Sequence, residues 1–165
     1  MTVQYAGFEK RLIAAFIDWV ILSFISLPIN VIFFSIILSS STYQQDNLLN
    51  LKLDFNYSIE NILYILAMMV VHWLYFAQLE SSKNQGSIGK QVMDIIVTDI
   101  NGNRLSFQKA TLRFLGKYLF GFIYFDDQLF SLIWINSHIR PIYTREKQTL
   151  HDVLAGTLVV DKLSS

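Results

Sequence analysis

The chain has no cysteine, two prolines and seven glycines among its 165 residues. Without thiols there are no disulfides, no thiol catalysis and no cysteine-ligated zinc or iron–sulfur centre. Charge is scarce too: 16% of residues are charged and 53% are hydrophobic, a balance too apolar for an ordinary soluble domain. Thirteen basic residues cancel thirteen acidic ones and no basic run is long, so nothing points to a nucleic-acid partner. The three histidines, His72, His138 and His151, include no pair at the i, i+4 spacing of a helical metal site. No internal repeat is apparent, and the length fits one domain over residues 1–165.

What the chain does contain is long apolar runs. Leu12 to Leu38 is interrupted only by Asp18, a few serines, Pro28 and Asn30. As a helix it would extend roughly 40 Å, enough to cross a bilayer with tilt. A signal peptide has a shorter apolar region, so this run reads as a retained anchor. Pro28 removes a backbone donor, and Ser26 stands near enough to satisfy the freed group. Ile62 to Leu79 is a second span of about 27 Å, with His72 near its centre. Lys10 and Arg11 precede the first span; Lys83, Lys90, Arg104, Lys109, Arg113 and Lys117 follow the second; residues 39–61 between them lean acidic. The positive-inside rule then places the N terminus in the cytoplasm and residues 39–61 outside.

Residues 118–135 form a third hydrophobic region, divided by Asp126-Asp127 into two pieces of about 12 Å each as helix, neither able to span alone. It reads as a re-entrant hairpin, with a true third span as the alternative. Just before it, Lys109, Arg113 and Lys117 recur every four residues with apolar residues between, the pattern of a helix lying in the membrane surface. Asp94 to Ile100 is β-branched and meets Asn101-Gly102, then Arg104 to Phe107, a hairpin signal. Thr157 to Asp161 is a second β-like run able to pair with the first in a small cytoplasmic sheet. The fold class is thus mainly α and integral to the membrane: two transmembrane helices, an interfacial helix, a third hydrophobic region and a small β element.

Chemistry-bearing residues are few. Arg11 and Asp18 leave the same face of the first helix about 10 Å apart along its axis. Asp18 is either a carboxylate that carries a proton or cation, or one partnered by Arg11 or another base. His72 is either a proton relay or interhelical hydrogen-bond glue. With Asp126 and Asp127 they complete the list of residues that could line an ion path. Gly86-Ser87-Ile88-Gly89-Lys90 superficially suggests a phosphate loop, but the glycine spacing is too short and Gln91 stands where Ser or Thr is needed. A tight cytoplasmic turn is the better reading. Nucleophile-elbow, zincin and dinucleotide signatures are missing, so neither an enzyme nor a cofactor is expected.

Tyr5-Ala6-Gly7-Phe8 leading to Arg11, Ala14 and Ile17-Asp18, then Gly86 to Lys90, Asn101-Gly102, Arg113 and Gln148 to Thr157, resemble the RDD family of bacterial membrane proteins over nearly the whole chain. The resemblance implies that Arg11, Asp18 and Asp152 are the family's named Arg and two Asp, and that Asp152 returns to the inner end of the first helix. Arg11 would then stand between Asp152 and the deeper Asp18. For function it implies two readings: an interaction or modulator module for a larger membrane protein, or a cation/proton exchanger of the sodium/proton antiport type. Two spans and a hairpin do not easily enclose a pathway, so the exchanger would act as a homo-oligomer. The bilayer is the partner common to both.

Overall fold

In the computed structural model, residues 4–39, 59–122 and 140–162 are described. The elements run α1 (Phe8–Ser39), α2 (Ile59–Glu80), α3 (Ile88–Val92), β1 (Ile95–Asp99), α4 (Phe107–Phe122), α5 (Leu150–Ala155) and β2 (Thr157–Asp161). The chain is mainly helical, and α1 and α2, at 32 and 22 residues, are long and apolar enough to cross a membrane. They divide between two compact units, Met1–Trp19 with Trp73–Ser165, and Val20–His72.

The first unit is built on a two-stranded sheet. β1 and β2 pair antiparallel with Ile95 opposite Asp161 and Asp99 opposite Thr157, the partnership expected from their β-branched composition. Residues before α1 lie along the other side of β2: Ala6 N–H donates to the Val159 carbonyl at 3.0 Å, and Asp161 N–H to the Gln4 carbonyl at 2.9 Å. Ile95, Val97 and Val159 point inward, where they meet Ala6, Ala14, Ala77, Leu105 and Ala110, with Trp73 and Met93 packed on them. Small residues at 6, 14, 77 and 110 let three helices approach the sheet closely.

The hairpin expectation needs correction. Asn101-Gly102 does turn the chain, with Gly102 at φ +82° and the Asp99 carboxylate accepting from the Asn101 and Asn103 N–H groups. The returning segment makes only one bridge, Arg104 to Thr98, because α4 starts at Phe107 and β2 takes the ladder instead. The tight turn expected at residues 86–90 is in part the short helix α3.

α4 also differs from its expected setting. Arg113, the middle of the basic stripe, is buried, Lys117 lies over the Phe76 ring, and Lys109 comes within 3.7 Å of Asp99. The stripe faces the protein, where carboxylates and an aromatic face meet it, while Leu112 and Leu115 are exposed. α4 continues as one helix past residue 118 to Phe122, so the amphipathic segment and the start of the third hydrophobic region are a single element. Asp126, Asp127 and the choice between hairpin and span lie outside the described residues.

In the second unit, α1 remains helical through Pro28. Ser26 donates to the Ser23 carbonyl at 3.3 Å, one residue before the Phe24 carbonyl that the proline leaves without a donor. Tyr64 of α2 donates to Asn30 of α1 at 2.8 Å, and its ring stacks on Phe33 with centroids 4.1 Å apart.

Candidate functional site

Asp18 and Asp152 are both buried in the first unit, and each ends up with a different class of partner. The pairing of Asp18 with Arg11, one of the alternatives read from the sequence, is not made. Asp18 Oδ1 accepts from the Gly89 N–H at 2.8 Å and the Tyr75 hydroxyl at 2.7 Å, and Oδ2 from the Ser87 hydroxyl at 2.6 Å. All three donors are neutral. Ser87 holds the N-cap position of α3, but its hydroxyl makes no cap bond to its own helix and turns to Asp18. The carboxylate therefore does from α1 what a cap side chain does locally, satisfying an N–H that the first turn of α3 leaves open.

That approach requires Gly89. A Cβ built there would stand 2.9 Å from Asp18 Oδ1 and closer still to the Ala14 carbonyl oxygen, so α3 meets α1 backbone to backbone. Ala14 has no side chain large enough to interfere. The Gly-x-x-Gly spacing that superficially suggested a phosphate loop is thus a docking surface for the first helix and its carboxylate.

Asp152 is held by two guanidinium groups. Arg11 Nη1 reaches Oδ2 at 2.8 Å, while Arg113 Nη2 and Nε reach Oδ1 at 2.5 and 2.9 Å. Oδ2 also accepts from the Thr149 N–H at 3.0 Å, the return half of a capping box that starts α5. α5 ends at Gly156, whose φ of +61° is the left-handed C-cap that releases the chain into β2. Arg11 is anchored further by donating to the Ala6 carbonyl at 3.2 Å and the Val159 carbonyl at 3.5 Å. Burial alone would raise the Asp152 carboxyl, but Arg113, then His151 and Arg11, hold it well below the usual carboxylate range. Burial would lower Arg113; Asp152 and Glu80 more than offset this and keep it charged.

The network extends where sequence reasoning did not look. Arg113 Nη1 binds Glu80 Oε2 at 2.8 Å, and Glu80 Oε1 binds Lys90. Glu80 and Lys90 were missed because Glu80 closes a long apolar helix and Lys90 sat in what read as an exposed turn. An acidic residue that ends an apolar run, ten residues before a lysine, was the available signal. His72 belongs to the second unit, where its Nδ1 lies 2.7 Å from the Met68 carbonyl of its own helix. The structure brings Arg11 to Asp152 but leaves Asp18 in a separate neutral nest.

One compact unit holds a buried Asp–Arg network, and the chain has two helices long and apolar enough to cross a membrane, which together define a small, mainly helical protein. The RDD family model matches residues 5–156, and the chain belongs to that family. It is similar to "Uncharacterized protein YxaI" of Bacillus subtilis (strain 168), with 29% identity over 161 residues covering 95% of this chain and 97% of that protein. No solved structure matches it.

Proposed function

We propose that this chain is a multi-pass protein of the bacterial inner membrane, with its N terminus and its polar unit on the cytoplasmic side, and that it serves as an interaction module for a larger membrane protein. The observation that carries this reading is the state of the carboxylates. Each of the four buried carboxylates among the described residues, Asp18, Glu80, Asp99 and Asp152, is held by fixed internal donors. A carrier carboxylate has to exchange partners in every cycle, and a clasp does not. Exposed apolar side chains along α1 and α2, such as Phe24, Ile32, Leu63 and Leu66, fit contact with lipid or with helices of a partner.

The competing reading, cation/proton exchange through Asp18, is separated by Asp18→Asn in purified proteoliposomes. The asparagine amide places a donor where one of three donors now points, so the clasp reading expects lower accumulation and normal behaviour of what survives. Full accumulation with loss of sodium-dependent proton flux would establish the exchanger. Membrane placement has its own check: a cysteine at exposed Asn84 should resist a membrane-impermeant thiol reagent in intact cells, whereas one at Asn56 should react.

A further inference from the structure

The same unit contains a small, partly open cleft beside Arg113 and His151. Its walls come from four helices: Phe76 and Glu80 of α2, Lys90 of α3, Arg113 and Lys117 of α4, and His151 of α5. Three cations face one carboxylate there, and two of them hold it directly. One Glu80 oxygen is taken by Lys90 and the other by Arg113. Lys117 is left over. Its ammonium lies 4.4 Å from the Phe76 ring centroid and has no carboxylate partner among the described residues. No buried side-chain donor among the described residues lacks a hydrogen-bond partner, so this one opens to the cleft mouth.

An aromatic face beneath an ammonium satisfies one side of it and leaves N–H groups aimed away from the ring. Beside Arg113 and Lys90, those donors favour an oxyanion. We propose that this cleft is a binding site for a phosphate-bearing anion, the chemistry shared by an anionic phospholipid headgroup and free phosphate, with Lys117 as its principal donor. The helices that wall the cleft also carry exposed Leu112, Leu115 and Leu154, which suit acyl chains beside a headgroup. The lipid source rests on the membrane placement proposed above; the anion site itself does not.

Charge at the site depends on pH. Burial first, then Lys90 and Arg113, push Lys117 down to about 8, with Glu80 and Asp18 opposing. His151, from α5, is held neutral by burial and adds no charge near neutrality. Anion binding should therefore weaken as pH rises through that value and Lys117 loses its proton.

Titration calorimetry on the full chain in a neutral detergent tests this, using dihexanoyl phosphatidylglycerol, dihexanoyl phosphatidylcholine and inorganic phosphate as probes. Phosphatidylglycerol should bind about tenfold tighter than phosphatidylcholine, and Lys117→Gln should remove that difference. Lys117→Arg should keep the affinity and lose the weakening between about pH 7 and about pH 9, because a guanidinium stays charged. If inorganic phosphate competes at similar affinity, the site takes the free anion; if only phosphatidylglycerol binds, it takes the headgroup. Equal binding of the two lipids with no phosphate binding, or a Lys117→Gln variant that binds like the parent, would overturn the proposal. Recovery of the chain from the soluble fraction with phosphate binding intact would instead sink the membrane placement and leave the site standing.

Discussion

The two units hold themselves together by different means. In Met1–Trp19 with Trp73–Ser165, buried charge is dense: two arginines share Asp152, a glutamate joins Arg113 to Lys90, and three neutral donors close on Asp18. In Val20–His72 the ties seen between α1 and α2 among the described residues include one hydrogen bond and one ring stack, and large apolar side chains lie exposed along both helices. The contrast teaches that the family's charged residues act locally. Arg11 and Asp18 both stand on the first three turns or so of α1, within the polar unit, and the rest of that helix exposes large apolar side chains.

Breaking the charged clasp should have the largest effect. Asp152→Ala would leave Arg11 without a carboxylate and Arg113 with only Glu80, both inside the unit, costing about 3–5 kcal/mol. The expected readout is a sharp fall in membrane accumulation and in the thermal midpoint of the detergent-solubilised protein. Arg11→Ala should cost less, since Arg113 still compensates Asp152. A mild Asp152→Ala phenotype would mean that the polar unit does not depend on its clasp.

The neutral nest is next. In Gly89→Ala the added methyl meets the Ala14 backbone and the Asp18 carboxylate, and a backbone carbonyl cannot rotate aside as a side chain can. A loss of about 1–3 kcal/mol is expected, toward the upper end of overpacking penalties. Gly102→Ala offers a comparison: there only backbone conformation is strained, at φ +82° with open space around the position. Equal midpoints for the two variants would show that the close approach of α3 to α1 carries no special weight.

Acid sensitivity sharpens the contrast further. Burial lowers His151 from 6.5 to about 3 in the folded chain, so between those values the unfolded chain holds more protons and stability falls as pH falls. Down to pH 5 the loss is at most about 2 kcal/mol. Asp152 is also depressed, but its contribution is fully present above the unfolded value of 3.8 and is lost only below it. A loss that begins in the range of an ordinary histidine should thus vanish in His151→Gln, while a later loss persists. An unchanged profile in that variant would assign the acid response to other groups.

Sequence alone went far with elements and less far with partners. The apolar runs located α1 and α2 to within a few residues because their signal is compositional, and the β-branched runs at 94–100 and 157–161 found each other because no other run competed. Arg11, Asp18 and Asp152 were legible as a motif. Helical spacing put Arg11 and Asp18 on one face of α1 without fixing their partners, and a chain segment 141 residues away delivers Asp152 to Arg11. Arg113 looked like a surface residue because periodicity reports a face, without telling whether lipid, water or a carboxylate lies opposite. That choice is made by tertiary contacts with Glu80 and Asp152, neither of which stands near it in sequence.

The smallest effect should come from the second unit. Tyr64→Phe removes the hydroxyl that donates to Asn30 but keeps the ring that stacks on Phe33. A hydrogen bond between helices contributes about 0.6 kcal/mol on average in lipid, because the separated helices find other partners, and about 1 kcal/mol in a water-surrounded protein. The variant should therefore unfold within a degree or two of the parent, and a double-mutant cycle with Asn30→Ala should give a coupling of the same small size. If the coupling exceeded about 2 kcal/mol, it would lie beyond what one such bond supplies in either solvent. The α1–α2 pair would then be a polar-locked element in its own right, and the division of labour between a clasped unit and an apolar one would fail.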